Sequence, residues 1–156
     1  MKTQLLALML VSHLGYAYAK EDLATSLDTA EPVPKSHSID FIDKGLKLSL
    51  SCSVGETQPI LNVTMGESFA FGSDPSVLII RSDKQHSVKF RGTATLMNFT
   101  SLPKADDDLW QALAQLQTQE LSLEAVSFRS SKYTSSTLVA VGFSEAVSQL
   151  KQKCSQ

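Results

Sequence analysis

LKLSLSCSV, residues 46–54, decides how the rest of the chain is read: Leu46, Leu48, Leu50, Cys52 and Val54 alternate with Lys47, Ser49, Ser51 and Ser53. Side chains point to opposite faces at successive strand positions, so strict alternation predicts a strand with one face in the core and one in water. Gly55 ends the run, and Leu61, Val63 and Met65 alternate again before Gly66, which predicts a hairpin through residues 55–59.

Working downstream, short β-type runs recur at Ser68–Phe71, Val77–Arg81, Ser87–Arg91 and Thr93–Phe99, with turn signals between them at the spacing of a meander, sandwich or small barrel. Residues 104–119 switch to a helical period carried by Leu109, Ala112, Leu113 and Leu116, with Asp106 as the expected N-cap and Asp107 and Asp108 in the first turn. Two further strands follow, Leu121–Arg129 and Thr137–Gly142, joined by a polar tip over Ser130–Ser136. Phe143, Ala146, Val147, Leu150 and Cys154 then mark one face of a C-terminal helix. The expected fold is mainly β, a sandwich or small barrel-like sheet of about eight strands, with two short helices, one at the C-terminus.

Upstream, Lys2, an apolar stretch from Leu5 to Leu14 and Ala17-Tyr18-Ala19 read as a cleavable signal peptide over residues 1–19. The apolar stretch is about half of the ~20 residues that a spanning helix needs. Residues 20–40 are polar, hold Pro32 and Pro34 and show neither period, so they are expected to be a flexible leader before a single domain over 41–156. With Lys2 removed, 13 basic residues face 16 acidic ones, a formal charge of −3, which lacks the concentrated basic face that nucleic acid requires. Only Cys52 and Cys154 are present. An isolated pair in an exported protein predicts a disulfide, here between an early strand and the last helix.

Chemistry-bearing motifs are few. The histidines beyond the signal, His37 and His86, lack the paired spacing of a zinc site, and Asp106–Asp108 lacks the alternate acids and turn glycine of a calcium loop. Ser101-Leu-Pro-Lys104 matches S-x-x-K formally, but a proline intervenes and no partner motif accompanies it. Neither histidine has a nucleophile elbow to serve. The sequons Asn62-Val-Thr64 and Asn98-Phe-Thr100 fall inside expected strands, where threonine is common, and are read as chance matches. Trp110, the one tryptophan, is expected to anchor the helix in the core. No catalytic residue, metal or cofactor is expected, and the reading is a non-enzymatic binding module. The alternatives are a small secreted hydrolase whose carboxylates meet in space, or an inhibitor of such an enzyme.

Gly142-Phe143-x-x-Ala146-x-x-x-Leu150-x-x-x-Cys154, preceded by Leu138-Val-Ala-Val141, the strand through Leu121–Phe128 and a helix-borne Trp110, resembles the end of small exported bacterial proteins. The likeness is to the invasion-associated locus B type and to periplasmic accessory proteins of type VI secretion. That resemblance implies a β-sandwich-like domain closed by a Gly-Phe-led helix, working in the periplasm or outside the cell without enzymatic activity, on a protein partner in the cell envelope. Edge strands and their tips are the usual sites for such contacts, so the partner is expected at Arg129, Lys132 and Tyr133.

Overall fold

The structure, a computed structural model, describes residues 35–56, 58–83, 85–103 and 109–156. The expected signal peptide, most of the expected leader and the Asp106–Asp108 cap lie outside these residues. Eight strands and two helices follow in the order β1 (Ser36–Asp43), β2 (Leu46–Ser53), β3 (Ile60–Thr64), β4 (Asp74–Arg81), β5 (Ser87–Thr95), β6 (Asn98–Ser101), α1 (Leu109–Ala114), β7 (Glu120–Ser127), β8 (Lys132–Val139) and α2 (Phe143–Cys154). All strand pairs are antiparallel, in one sheet of order β1-β2-β3-β6-β5-β4-β7-β8. The sheet curls into a half-barrel, the barrel-like form of the mainly β expectation.

The alternation over residues 46–54 becomes β2 with Leu46, Leu48, Leu50 and Cys52 buried. Its partner β1 begins at Ser36, inside the stretch expected to be leader, so residues 36–40 are strand instead. The pattern escaped the sequence reading because β1 is an edge: its inward His37, Ile39 and Phe41 are only half-buried. Lys44 and Gly45, with φ of 47° and 85°, make the two-residue turn whose twist suits a hairpin.

Ser68–Phe71 is a loop, not a strand. Phe69 and Ala70 are buried there, and both donate their N–H groups to the Leu96 carbonyl, at 3.0 and 3.1 Å. The two strands expected around Gly92 are one, β5, and the break falls at Leu96-Met97 before β6. Gly92 is not a terminator: a Cβ there would collide with the Thr100 carbonyl oxygen and the Phe99 ring, so glycine lets β6 lie close across β5.

Among the described residues helix α1 runs from Leu109 to Ala114, ending short of the expected Gln119 in a Leu116 N–H to Leu113 carbonyl bond at 3.1 Å. It still buries Leu109, Trp110 and Leu113, with Leu116 just beyond. Helix α2 buries Phe143, Val147, Leu150 and Cys154 against the concave face, and Phe41 of β1 meets Phe143 at 5.2 Å between ring centroids. Each such side chain, fully buried, contributes roughly 1.5–3 kcal/mol. Cys52 and Cys154 are joined, with Cα atoms 6.0 Å apart, and the Gly55 N–H donates to the Cys154 carbonyl at 3.0 Å. The bridge pins the last helical turn to β2.

Candidate functional site

The β7–β8 hairpin carries all three residues expected to contact a partner. The strands pair from Glu120↔Val139 to Ser127↔Lys132, so the connection is only Phe128 to Ser131, and most of the stretch expected as a polar tip, Ser130–Ser136, belongs to β8. Hydroxyl-rich sequence looks like loop because it lacks an apolar face. On this strand only Thr134 and Leu138 need to face the core, and Tyr133, Ser135, Thr137 and Val139 face water.

Lys132 therefore opens an edge strand, with Tyr133 beside it 62% exposed and Arg129 exposed in the turn. Two residues missed by the sequence reading share this end of the sheet. Phe71 is 63% exposed with the Lys132 ammonium 4.2 Å from its ring centroid, and Phe128 is 61% exposed. A cation over an aromatic face contributes roughly 0.5–1 kcal/mol at an exposed site. Phe128 could have been found: it breaks the Leu121, Leu123, Ala125, Ser127 phase and so must point outward. No local pattern signals Phe71.

A buried carboxylate holds this end together. Asp74, the first residue of β4, accepts from the Ser127 hydroxyl at 2.9 Å and from the Phe71 N–H at 3.3 Å, while the Ser76 hydroxyl donates to the Asp74 carbonyl at 3.0 Å. Ser130 donates to the Phe69 carbonyl at 2.9 Å, tying the turn to the same loop. The aromatic and cationic side chains thus stand on a braced scaffold.

The backbone of β8 adds a second feature. The Ala140 N–H donates to the Gln119 carbonyl at 2.8 Å, so in this register the even-numbered residues of β8 hydrogen-bond to β7. The odd-numbered ones turn their N–H and C=O groups away from the sheet. Val139 uses its N–H on the Asp43 carboxylate at 3.3 Å. Tyr133, Ser135 and Thr137 have no neighbouring strand on that side among the described residues.

Elsewhere, a groove of about 590 Å³ lies among Arg81, Ser82, Asp83, Thr118, Glu120, Ser122 and Thr137. Arg81 bonds Glu124 at 3.0 Å, and Asp83 accepts from the His86 ring at 2.9 Å and from the backbone N–H groups of Gln85 and His86, both at 2.7 Å. The His86 ring, then these backbone donors, hold the Asp83 carboxyl down at about 2. A general acid needs the opposite shift. His37 lies apart on β1, and among the described residues no three His, Cys, Asp or Glu side chains converge as metal ligands. The two sequons face each other in register on β3 and β6: Thr100 donates to Asn62 at 2.8 Å and Thr64 to Asn98 at 2.9 Å.

Fold and site together define a disulfide-closed antiparallel half-barrel that presents an aromatic and cationic hairpin end next to an open sheet edge. No protein-family model, no curated protein and no solved structure matches the chain. No helix among the described residues is long and apolar enough to cross a membrane.

Proposed function

We propose that this chain is an exported accessory protein of the bacterial cell envelope that works by binding another protein through the end of the β7–β8 hairpin. One observation carries the reading: on a scaffold braced by Asp74 and Ser130, one end of the hairpin exposes Phe128, Arg129 and Tyr133, and on the other face of β8 the Lys132 ammonium lies over the exposed Phe71 ring. Aromatic and arginine side chains dominate the energetic centres of protein interfaces, and rigid placement lowers the entropy lost on binding. Export rests on the signal-like residues 1–19, with a disulfide suited to an oxidising compartment. The resemblance of the C-terminal third to the locus B and type VI accessory proteins points the same way, and a secreted hydrolase inhibited by this chain is one form the partner can take.

The test is affinity capture from the producing cell's own envelope with the mature chain, in parallel with the Lys132→Ala, Tyr133→Ala double variant. A specific partner should be retained by the first and lost from the second, while the melting temperature stays nearly unchanged. Equal capture by both removes the hairpin end as the site.

A further inference from the structure

We infer that the outer edge of β8, which no strand pairs among the described residues, binds its partner by strand addition, taking an extended, acid-bearing polypeptide segment in antiparallel pairing along Tyr133, Ser135 and Thr137. This rests on the reading that the hairpin end binds a protein, and it specifies how.

Register and hydrogen bonding make the edge usable. The backbone groups of Tyr133, Ser135 and Thr137 point away from β7, in the alternating pattern that an added antiparallel strand completes. Natural sheets usually guard such an edge with charge, proline or a bulge. From Tyr133 to Val139 this strand holds no charged residue, proline or glycine, and its eight residues pair with β7 without interruption.

Charge selects the occupant. Lys132 and Arg129 stand at one end of the open stretch, neither within ion-pair distance of a carboxylate among the described residues. The acids near the stretch are Glu124, opposite Ser135 and neutralised by Arg81 at 3.0 Å, and, at the far end, Glu120 opposite Val139 and Asp43, which accepts the Val139 N–H. An incoming antiparallel strand therefore gains most by placing an aspartate, a glutamate or its terminal carboxylate toward its C-terminal end, beside Lys132 and Arg129. On the outer face, Tyr133 neighbours Val126 and then Val77 across the sheet, so the residue entering that row meets apolar surface. A second copy of this chain offers Lys132, hydroxyl side chains, Leu138 and Val139 along the same strand but no carboxylate for Lys132 and Arg129, which makes it the poorer match.

Ser135→Pro isolates the mechanism. The Ser135 N–H points outward, so proline removes no bond to β7, and proline is tolerated on the open side of an edge strand. Random short peptides displayed on phage are selected on the full mature chain and counted against the Ser135→Pro variant. The expected winners carry Asp or Glu and lose about tenfold or more in affinity for Ser135→Pro, the scale of one or two lost hydrogen bonds. They should lose as much when alternate peptide amides are N-methylated, a change that leaves the protein untouched, and again with Lys132→Glu.

Three results would overturn the inference: no enrichment over the proline variant, binding indifferent to N-methylation, or a dimer of this chain that Ser135→Pro splits. An envelope complex that survives Ser135→Pro but not the Lys132→Ala, Tyr133→Ala change refutes strand addition and leaves the hairpin-end reading standing. Survival of both refutes both.

Discussion

Strand β1 ends one side of the sheet with His37, Asp40 and Asp43 along it, whereas β8 ends the other with a run from Tyr133 to Val139 that carries no charge. On β1, Asp40 pairs with Lys47 at 2.9 Å on the exposed face, and the Lys47 hydrogen bond, then that of Ser49, holds the Asp40 carboxyl below its ordinary value. An ion pair this exposed adds at most about 1 kcal/mol, so its stronger effect is to keep a stray strand from docking. On the inner side, Phe41 rests on Phe143 of a helix that the disulfide fastens to β2. Among the described residues, β8 is met on its outer side only where the end of β1 approaches it, through Asp43 at Val139. One edge is charged and buttressed by α2, and the other, from Tyr133 to Thr137, has no strand beside it among the described residues and begins next to exposed aromatic side chains, which is the asymmetry expected when one edge is used and the other only protected.

The largest expected effect comes from removing the buttress. Replacing Cys52 and Cys154 with alanine should cost about 2–5 kcal/mol, read as a lower denaturant midpoint, because the bridge closes a loop across 102 positions. Amide exchange should quicken first in β1, β2 and α2. Equal acceleration in β8 would erase the distinction between the edges.

Asp74→Ala should come next, at about 1–3 kcal/mol, since it leaves the Ser127 hydroxyl and the Phe71 N–H without their buried acceptor. Here the loosening should fall on the Phe71 loop and the β7–β8 turn, and binding at the hairpin end should weaken while β1 keeps its exchange rates. Thermal unfolding together with residue-resolved exchange distinguishes this from general destabilisation.

The smallest effect concerns the turn between β4 and β5. Because His86 and two backbone donors depress the Asp83 pKa, whatever stability this turn contributes is present above the unfolded value of 3.8 and lost as pH falls toward about 2. A carboxyl carbon titration by NMR should place the Asp83 midpoint near 2, and Asp83→Asn should leave partner binding unchanged. A midpoint at 3.8 would mean that this turn is not formed.

How far each region could be read in advance follows the same physical divide. The alternation in β2 and the helical face of α2 are strong local signals because every second, or every third and fourth, residue is buried completely. Strand β1 and the first half of β8 are hard to read because an edge needs few apolar residues: the polar pattern puts Ser36–Asp40 in the leader and Lys132–Ser136 in a tip, while Thr137–Val139 reads as strand. Gly92 looked like a break for the opposite reason, since the close approach of Phe99 that requires it is made by another strand. Arg129, Lys132 and Tyr133 were legible as exposed groups near one hairpin, but Phe71 joins them only because Asp74 ties its loop to Ser127.

By itself the sequence determined the β class, the strand through residues 46–53, the C-terminal helix and the availability of one cysteine pair, all of which follow from periodicity within a few turns of chain or from a count. Only the tertiary structure decided that β3 pairs with β6 rather than β4, that β1 and β8 end the sheet, and that Phe71 meets Lys132 at the start of β8. Pairings between distant segments depend on how the whole apolar face can be buried at once, and no short window of sequence carries that information.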